Sequence, residues 1–331
     1  MEITTVPAHY ISTMLDALAH RDCDPEVFLS KIAFPKELLQ EEKARIPRSD
    51  YLRFTGYVAL KLQDENLGLL KKPMKPGTFA MLCHACINCE RLEHFLKRMA
   101  KYAAIANPGI SLELTRGARY ARLTLTPQAA EVYSEDLFVM LALAVAHRLS
   151  SWVTDQTVLI EEVSLRRKRP FYASDYNSLF NAKIKFAQQE NYILFNSDYL
   201  DARIKQDEQS LCVFLQNAGI HLMSELDSDE TLTAQIRNIL KEKVAGEFPS
   251  FKGISSSLDC SPTTLKRRLL SEGSTYQTIK DAVRRDTAIH YLVQGSMSVD
   301  EVATRAGFSD PSSFFRAFKR WTGTSPRAYV R

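Results

Sequence analysis

This sequence lacks the signatures of the common enzyme classes. It has no glycine-rich loop to cradle a nucleotide phosphate, no G-x-S-x-G turn to expose a nucleophilic serine, and no H-E-x-x-H helix to hold zinc. Long hydrophobic runs are missing as well. The longest, Leu137 to Ala146, is too short to cross a bilayer and suits a buried helix. The N-terminus carries no charged-then-apolar stretch of the signal-peptide kind, so a cytoplasmic protein without a membrane partner is expected. In that compartment the six cysteines are expected to stay reduced rather than form structural disulfides. Strong net charge is absent too: 43 basic and 39 acidic residues leave +4 over 331 residues.

A chain of this length holds about two domains, each with room for a good core. Charge is divided unevenly along it. From Glu230 onward 16 basic residues face 10 acidic ones, and before it the numbers are 27 and 29. A mildly acidic body with a basic tail points to a polyanion as the partner of the tail.

The tail has a distinctive turn grammar. Val299, Val302, Ala303 and Ala306 fall at i, i+3, i+4 and i+7, one apolar helix face. Gly307 suits the left-handed position that ends a helix. Asp310-Pro311 is an N-cap followed by proline at the first helical position, and Gly323 closes that second helix. Ser325-Pro326 repeats the start signal for a third. Three helices with turns this short make a helix-turn-helix unit. On the second helix Phe314, Phe318 and Trp321 share one side. Ser312, Arg316 and Lys319 share the other, flanked by Ser313 and Arg320. Forked and point cations beside small hydroxyls suit a helix laid in the major groove of double-stranded DNA.

The same grammar occurs earlier, from Phe251 to Tyr276. Phe251, Ile254, Ser255 and Leu258 repeat the first apolar face, Ser261-Pro262 repeats the cap, and Gly273 repeats the closing glycine. Leu265 and Leu269 point to the core. Thr263, Lys266 and Arg267 form the outward stripe, with Arg268 at its edge. A helix from Tyr276 to Gln294, ended by Gly295, joins the two units. Its length of roughly 28 Å can hold two reading helices about one DNA turn apart.

The body reads as α+β. Residues 8–106 are mostly helical by pattern, then Ile110–Leu114 and Tyr120–Thr126 form a hairpin. A helix is expected over 134–152, a strand over 157–165, and a short helix from Ser174. A second pair of strands follows around Ile184–Phe186 and Tyr192–Phe195, then helix from Asp207 to His221. The polar segment Met223–Thr231 reads as a linker. Beyond it, Leu232, Ile236, Ile239, Leu240 and Val244 make a helix ended by Gly246 and Pro249.

The C-terminal hundred residues, above all AGFSDPSSFFRAFKRWTGTSP, resemble the DNA-binding domain of the AraC/XylS family of bacterial transcription regulators. More weakly, GTFAMLCHACINCERLEHFLKRMAKY and RPFYASDYNSLFNAKIKFAQQENYILFNSDYL resemble the arabinose-operon-regulator-type ligand-binding domain of one branch of that family. The resemblance implies an α+β sensory domain, also a candidate for dimerisation, over 1–222. A linker would follow over 223–230, then an all-α DNA-binding domain over 231–331. The helix-turn-helix units of that domain would span about 251–273 and 298–322. It implies base reading by Thr263, Lys266 and Arg267 and by Ser312, Ser313 and Arg316, with Arg268, Lys319 and Arg320 on phosphates. It also implies a small organic effector, no cofactor, and no enzymatic activity, with activation through RNA polymerase as the commoner outcome. The Pro-Cys-His-Arg nucleophile of AraC-like alkyltransferases is absent. In the first unit Ser255 and Asp259 depart from the family's usual alanine and glycine.

Two clusters have rival readings. Cys83, His84, Cys86 and Cys89 could bind metal or sense redox state. The i, i+3 spacing of Cys83 and Cys86 instead suits thiols buried as small hydrophobes on one helix face. The basic run Arg166–Arg169 could hold a carboxylate ligand or DNA, but reads first as a solvated strand end.

Overall fold

The computed structural model describes residues 4–330 except 22, 31, 33, 108, 129–132, 171, 224–230 and 243–247. Residues 224–230 of the expected linker, Val244, Gly246 and Pro108 therefore lie outside the described residues. In chain order the elements are β1 (Thr5–Pro7), α1 (His9–Ala19), α2 (Pro25–Leu29), β2 (Arg45–Pro47), α3 (Arg48–Leu62), α4 (Thr78–Ile87) and α5 (Leu92–Ala106). Then come β3 (Ile110–Arg116), β4 (Tyr120–Pro127), α6 (Glu135–Thr154), β5 (Ile160–Ser164), α7 (Ala173–Phe180), β6 (Lys183–Lys185) and β7 (Tyr192–Asn196). Helices α8 (Glu208–Gln216), α9 (Ala218–Met223), α10 (Leu232–Glu242), α11 (Phe251–Ser257), α12 (Pro262–Ser271), α13 (Tyr276–Gln294), α14 (Val299–Arg305) and α15 (Pro311–Thr322) complete the chain. The expected α+β body and all-helical tail are both present.

The chain divides into two compact units. One comprises Met14–Asp24 and Thr55–Leu226. Its five-stranded sheet has the order β3-β4-β7-β5-β6. The hairpin β3–β4 is antiparallel, as its alternation predicts, with Leu112 opposite Leu125. The later strands differ from expectation. β6 and β7 are not a pair, because β5 lies between them, antiparallel to β7 and parallel to β6. A parallel neighbour needs a crossover, and α7 supplies it. Helix α6 outruns the ten-residue apolar segment and, by length and composition alone, could span a membrane, yet most of it is buried. Along its later turns Ser150, Ser151 and Thr154 return their hydroxyls to the carbonyls of Ala146, His147 and Ser150, at 2.8, 3.2 and 2.7 Å. The buried hydroxyls of this stretch are therefore all paired within the helix.

The other unit joins Asp227–Arg331 to Met1–Thr13 and Pro25–Phe54. Much of the first fifty residues thus packs with the C-terminal helices rather than with the sheet. β1 and β2 form a two-stranded antiparallel ribbon, Val6 opposite Ile46. The Thr5 hydroxyl donates to Asp286 Oδ1 on α13 at 2.6 Å and accepts from Arg45 Nε at 2.8 Å. The fully buried Tyr329 accepts from the Arg45 backbone N–H at 3.1 Å, with its ring against Phe34 and Phe318 at 5.7 and 5.2 Å. Burial pushes the Tyr329 phenol up to about 12, so it stays a neutral hydrogen-bonding group. Tyr329 belongs to a single 3₁₀ turn, Pro326–Tyr329, where a third helix is expected; Ser325 makes no side-chain cap there.

Candidate nucleic-acid interface

Both expected helix-turn-helix units form, and their caps show why. Ser261 Oγ accepts from the Thr264 N–H at 3.1 Å to start α12, and Asp310 Oδ1 accepts from the Ser313 N–H at 2.9 Å to start α15. The hydrogen bonds from Ser313 hold the Asp310 carboxyl below its usual range, so the cap stays charged. Ser298 and Glu301 form a reciprocal capping box on α14. Gly307 and Gly323 take positive φ, +77° and +81°, as helix-ending residues. In the first unit Asp259 stands at the turn with φ +46°, a left-handed conformation that aspartate tolerates better than most residues. Ser255 is buried at the other departure, its hydroxyl donating to the Cys260 carbonyl. Each departure is accommodated locally.

Behind α12 and α15 lie two small cores. Leu265 and Leu269 of α12 pack with Leu232, Ile236, Leu240, Ile254, Ile279 and Val283. The α10 start is tied to the same core by Glu272, which accepts from the Leu232 and Thr233 N–H groups at 3.0 and 2.8 Å. In α15, Phe314 and Phe318 are fully buried, 5.5 Å apart, while Trp321 is half-buried against Phe308.

The opposite faces are open. Thr263, Lys266, Arg267 and Arg268 on α12 are exposed, as are Ser312, Arg316, Lys319 and Arg320 on α15; Ser313 is half-buried. Arg316 Nη2 donates to Ser313 Oγ at 3.2 Å, which aligns the guanidinium along the helix. Arg320 is held at 3.3 Å by Asp281 of α13. That pairing was not legible from the stripe, because Asp281 lies 39 residues away.

The rival clusters look different in place. Cys83, Cys86 and Cys89 are buried. Among the described residues no three His, Cys, Asp or Glu side chains are grouped to hold a metal. The His84 ring turns away to Glu208, at 2.7 Å. Desolvation pushes the Cys83 and Cys86 thiols up to about 12, so neither is a ready thiolate. Nothing in this arrangement favours the metal- or redox-sensing alternative. The native state keeps these protons after the unfolded chain, near 9, has released them. Their stabilisation is therefore complete below pH about 9 and is lost as pH rises toward 12. Thermal melts from pH 8 to 11 check this: a Cys83→Ala/Cys86→Ala double variant should lose less stability on the alkaline side than the parent.

The run Arg166–Arg169 follows the end of β5, and Arg166, Lys168 and Arg169 are exposed there as a solvated strand end would be; Arg167 alone is half-buried. Arg167 donates to the Tyr176 and Tyr172 hydroxyls at 2.7 and 3.0 Å and pairs with Asp136 at 3.2 Å. Arg166 reaches Glu135 at 3.5 Å, and Arg169 lies over the Phe186 ring. Of the four, Arg167 is the one drawn inward by aromatic and acidic neighbours. The same unit carries an open cleft of about 810 Å³ that the sequence did not reveal. Asp155, Glu161, Asp198 and Tyr199 line it, together with Arg203 and Lys205.

Comparison with known proteins agrees with this architecture. Residues 23–204 match the arabinose-binding domain of AraC transcription regulator, N-terminal, and residues 254–331 match a helix-turn-helix domain. The chain is 24% identical over 329 residues to the ornithine utilization regulator of Pseudomonas aeruginosa, covering 98% of this chain and 96% of that one. It is 21% identical over 324 residues to the regulator VirS of Mycobacterium tuberculosis, covering 95% and 93%. It is 28% identical over 111 residues to the virulence regulon transcriptional activator VirF of Shigella flexneri, covering 34% and 42%. With an N-terminal domain that matches the family's ligand-binding model and a helix-turn-helix domain behind it, this chain belongs to the AraC family, as a DNA-binding transcription regulator and not an enzyme.

Proposed function

We propose that the protein is an effector-controlled, cytoplasmic transcription activator that reads a bipartite site in double-stranded DNA, acts as a homodimer and works through RNA polymerase. The observation that carries the DNA reading is the pair of exposed cationic stripes on two capped, rigidly cored helices. Arg316 and Arg267 are the leading base readers, since a guanidinium can grip guanine O6 and N7 together. Lys266, Thr263, Ser312 and Ser313 support them. Arg268, Lys319 and Arg320 bind phosphates, which supply affinity without sequence choice. The activator role rests on the family and on the name of the VirF relative.

The effector belongs to the 23–204 region, and the cleft beside Asp155 and Glu161 is its site in this reading. Charges of both signs on one rim suit a small zwitterion, and the near full-length likeness to an ornithine utilization regulator makes basic amino acids the first compounds to try.

The test is retention of fragmented genomic DNA at moderate salt, followed by sequencing, with and without ornithine, lysine and arginine. A shared motif of two blocks about one helical turn apart is the expected result. Retention without any motif in every condition would sink the bipartite reader. Calorimetry showing no heat with any of the three amino acids, and DNA selection complete without them, would sink that effector assignment.

A further inference from the structure

The two helix-turn-helix units are joined by more than the backbone of α13. Arg284, near the middle of that helix, donates from Nε to the Ala306 carbonyl at 2.8 Å and from Nη2 to the Gly307 carbonyl. These are the carbonyls that end α14, at the turn of the second unit. The guanidinium also lies 3.8 Å from the centre of the Phe308 ring and 5.5 Å from that of Phe248. Phe248 packs on the core of the first unit, while Phe308 packs on Phe314 and Trp321 of the second reading helix at 5.4 and 5.8 Å. A side chain added at Gly307 would sit 2.5 Å from the Phe248 ring, so ring and turn are in close contact. An unbroken stack thus runs from the core behind α12, through Phe248, Arg284 and Phe308, to α15.

We propose that Arg284 is a positioning residue for DNA reading: the Phe248–Arg284–Phe308 stack fixes the separation and rotational phase of the two reading helices, and so sets the spacing between operator blocks that the protein accepts. Arg284 touches no base in this scheme. A guanidinium suits the task because one planar group satisfies two carbonyls with its edge and two aromatic rings with its faces. Lysine offers a point charge and cannot do both. When two modules are linked, the second binding event gains from the first only if both sites can be reached together. A rigid stack sharpens that gain at one spacing, and a loose one spreads it over several.

This inference rests on the bipartite reading proposed above. The experiment measures affinity for duplexes carrying both blocks at the selected spacing, at that spacing plus or minus one and two base pairs, and for each block alone. The full-length parent is compared with Arg284→Ala, Arg284→Lys, Phe248→Leu and Phe308→Tyr, each checked for a cooperative melt. The parent should lose about a hundredfold when the blocks are moved off spacing. Arg284→Ala, Arg284→Lys and Phe248→Leu should bind the selected spacing at least about tenfold more weakly and the shifted ones nearly as well, with single-block affinity within about twofold. Phe308→Tyr keeps the ring and should keep the sharp profile. A sharp profile in Phe248→Leu and in whichever Arg284 variant folds overturns the role of the stack alone. An equal loss for single blocks overturns it too, because the residue would then act within one unit. A parent that shows no spacing preference removes the bipartite reading itself, and this inference with it.

Discussion

Replacing Phe318 with alanine is expected to destabilise the C-terminal unit by about 3–5 kcal/mol, the usual cost of truncating a fully enclosed phenylalanine. Phe318 has no exposed surface and lies between Phe314 of its own helix and Tyr329 of the closing turn. Tyr329 in turn meets Phe34 and the Arg45 backbone. The cavity would therefore open between α15 and the C-terminal turn, next to the N-terminal segment that Tyr329 meets, with Phe314 and Tyr329 losing packing together. Chemical denaturation should show the loss directly. Site-specific DNA retention should fall with it, although Phe318 faces away from the exposed stripe. Phe318→Leu fills most of the volume and should cost much less. An alanine variant with an unaltered midpoint would mean that this junction is not packed as described.

Raising salt from about 50 to about 200 mM should weaken operator binding on the order of a thousandfold, if the six outward cations Lys266, Arg267, Arg268, Arg316, Lys319 and Arg320 all displace counterions from DNA. The variants should separate the roles. Lys319→Ala should lower the slope of log affinity against log salt by about one and leave the selected motif unchanged. Arg316→Ala should relax one base position, with about 1–3 kcal/mol less discrimination there. The Arg320–Asp281 pair makes a finer distinction. Asp281→Asn removes the carboxylate that competes with phosphate for Arg320 and should strengthen binding to all sites alike, with the selected motif unchanged. A selected motif unchanged in Arg316→Ala would remove that residue from base reading.

The turn grammar of the C-terminal region was legible because caps and helix-ending glycines act over three or four residues. Ser261-Pro262, Asp310-Pro311 and Gly323 did in the structure what their chemistry predicts, and Asp259 took the left-handed turn that its missing glycine implied. The cysteine spacing was likewise readable as a buried helix face. What stayed hidden depends on partners far along the chain. β1 and β2 have three residues each, too few for any periodicity, and their anchor is Asp286. The parallel seat of β6 depends on the crossover through α7 rather than on its own three residues. Arg284 reads in sequence as one more base on a helix flank, and only the converging rings of Phe248 and Phe308 mark it out. Arg167 is the converse: within a basic run that is otherwise exposed, it alone is held by two tyrosines and Asp136.

The N-terminal ribbon sets a constraint on biosynthesis. Thr5 waits for Asp286, and Arg45 waits for Tyr329, partners 281 and 284 residues downstream. At ordinary translation rates that gap is roughly 15–60 s. Throughout it Phe34 and Ile46, both buried in the finished protein, have no C-terminal helices to cover them. The ribbon strands thus emerge long before the helices that cover them. A message truncated anywhere before α13 should yield a chain with an uncovered apolar ribbon, fit for chaperone capture or proteolysis. Regulators able to occupy an operator would then come only from chains read through to their final turn.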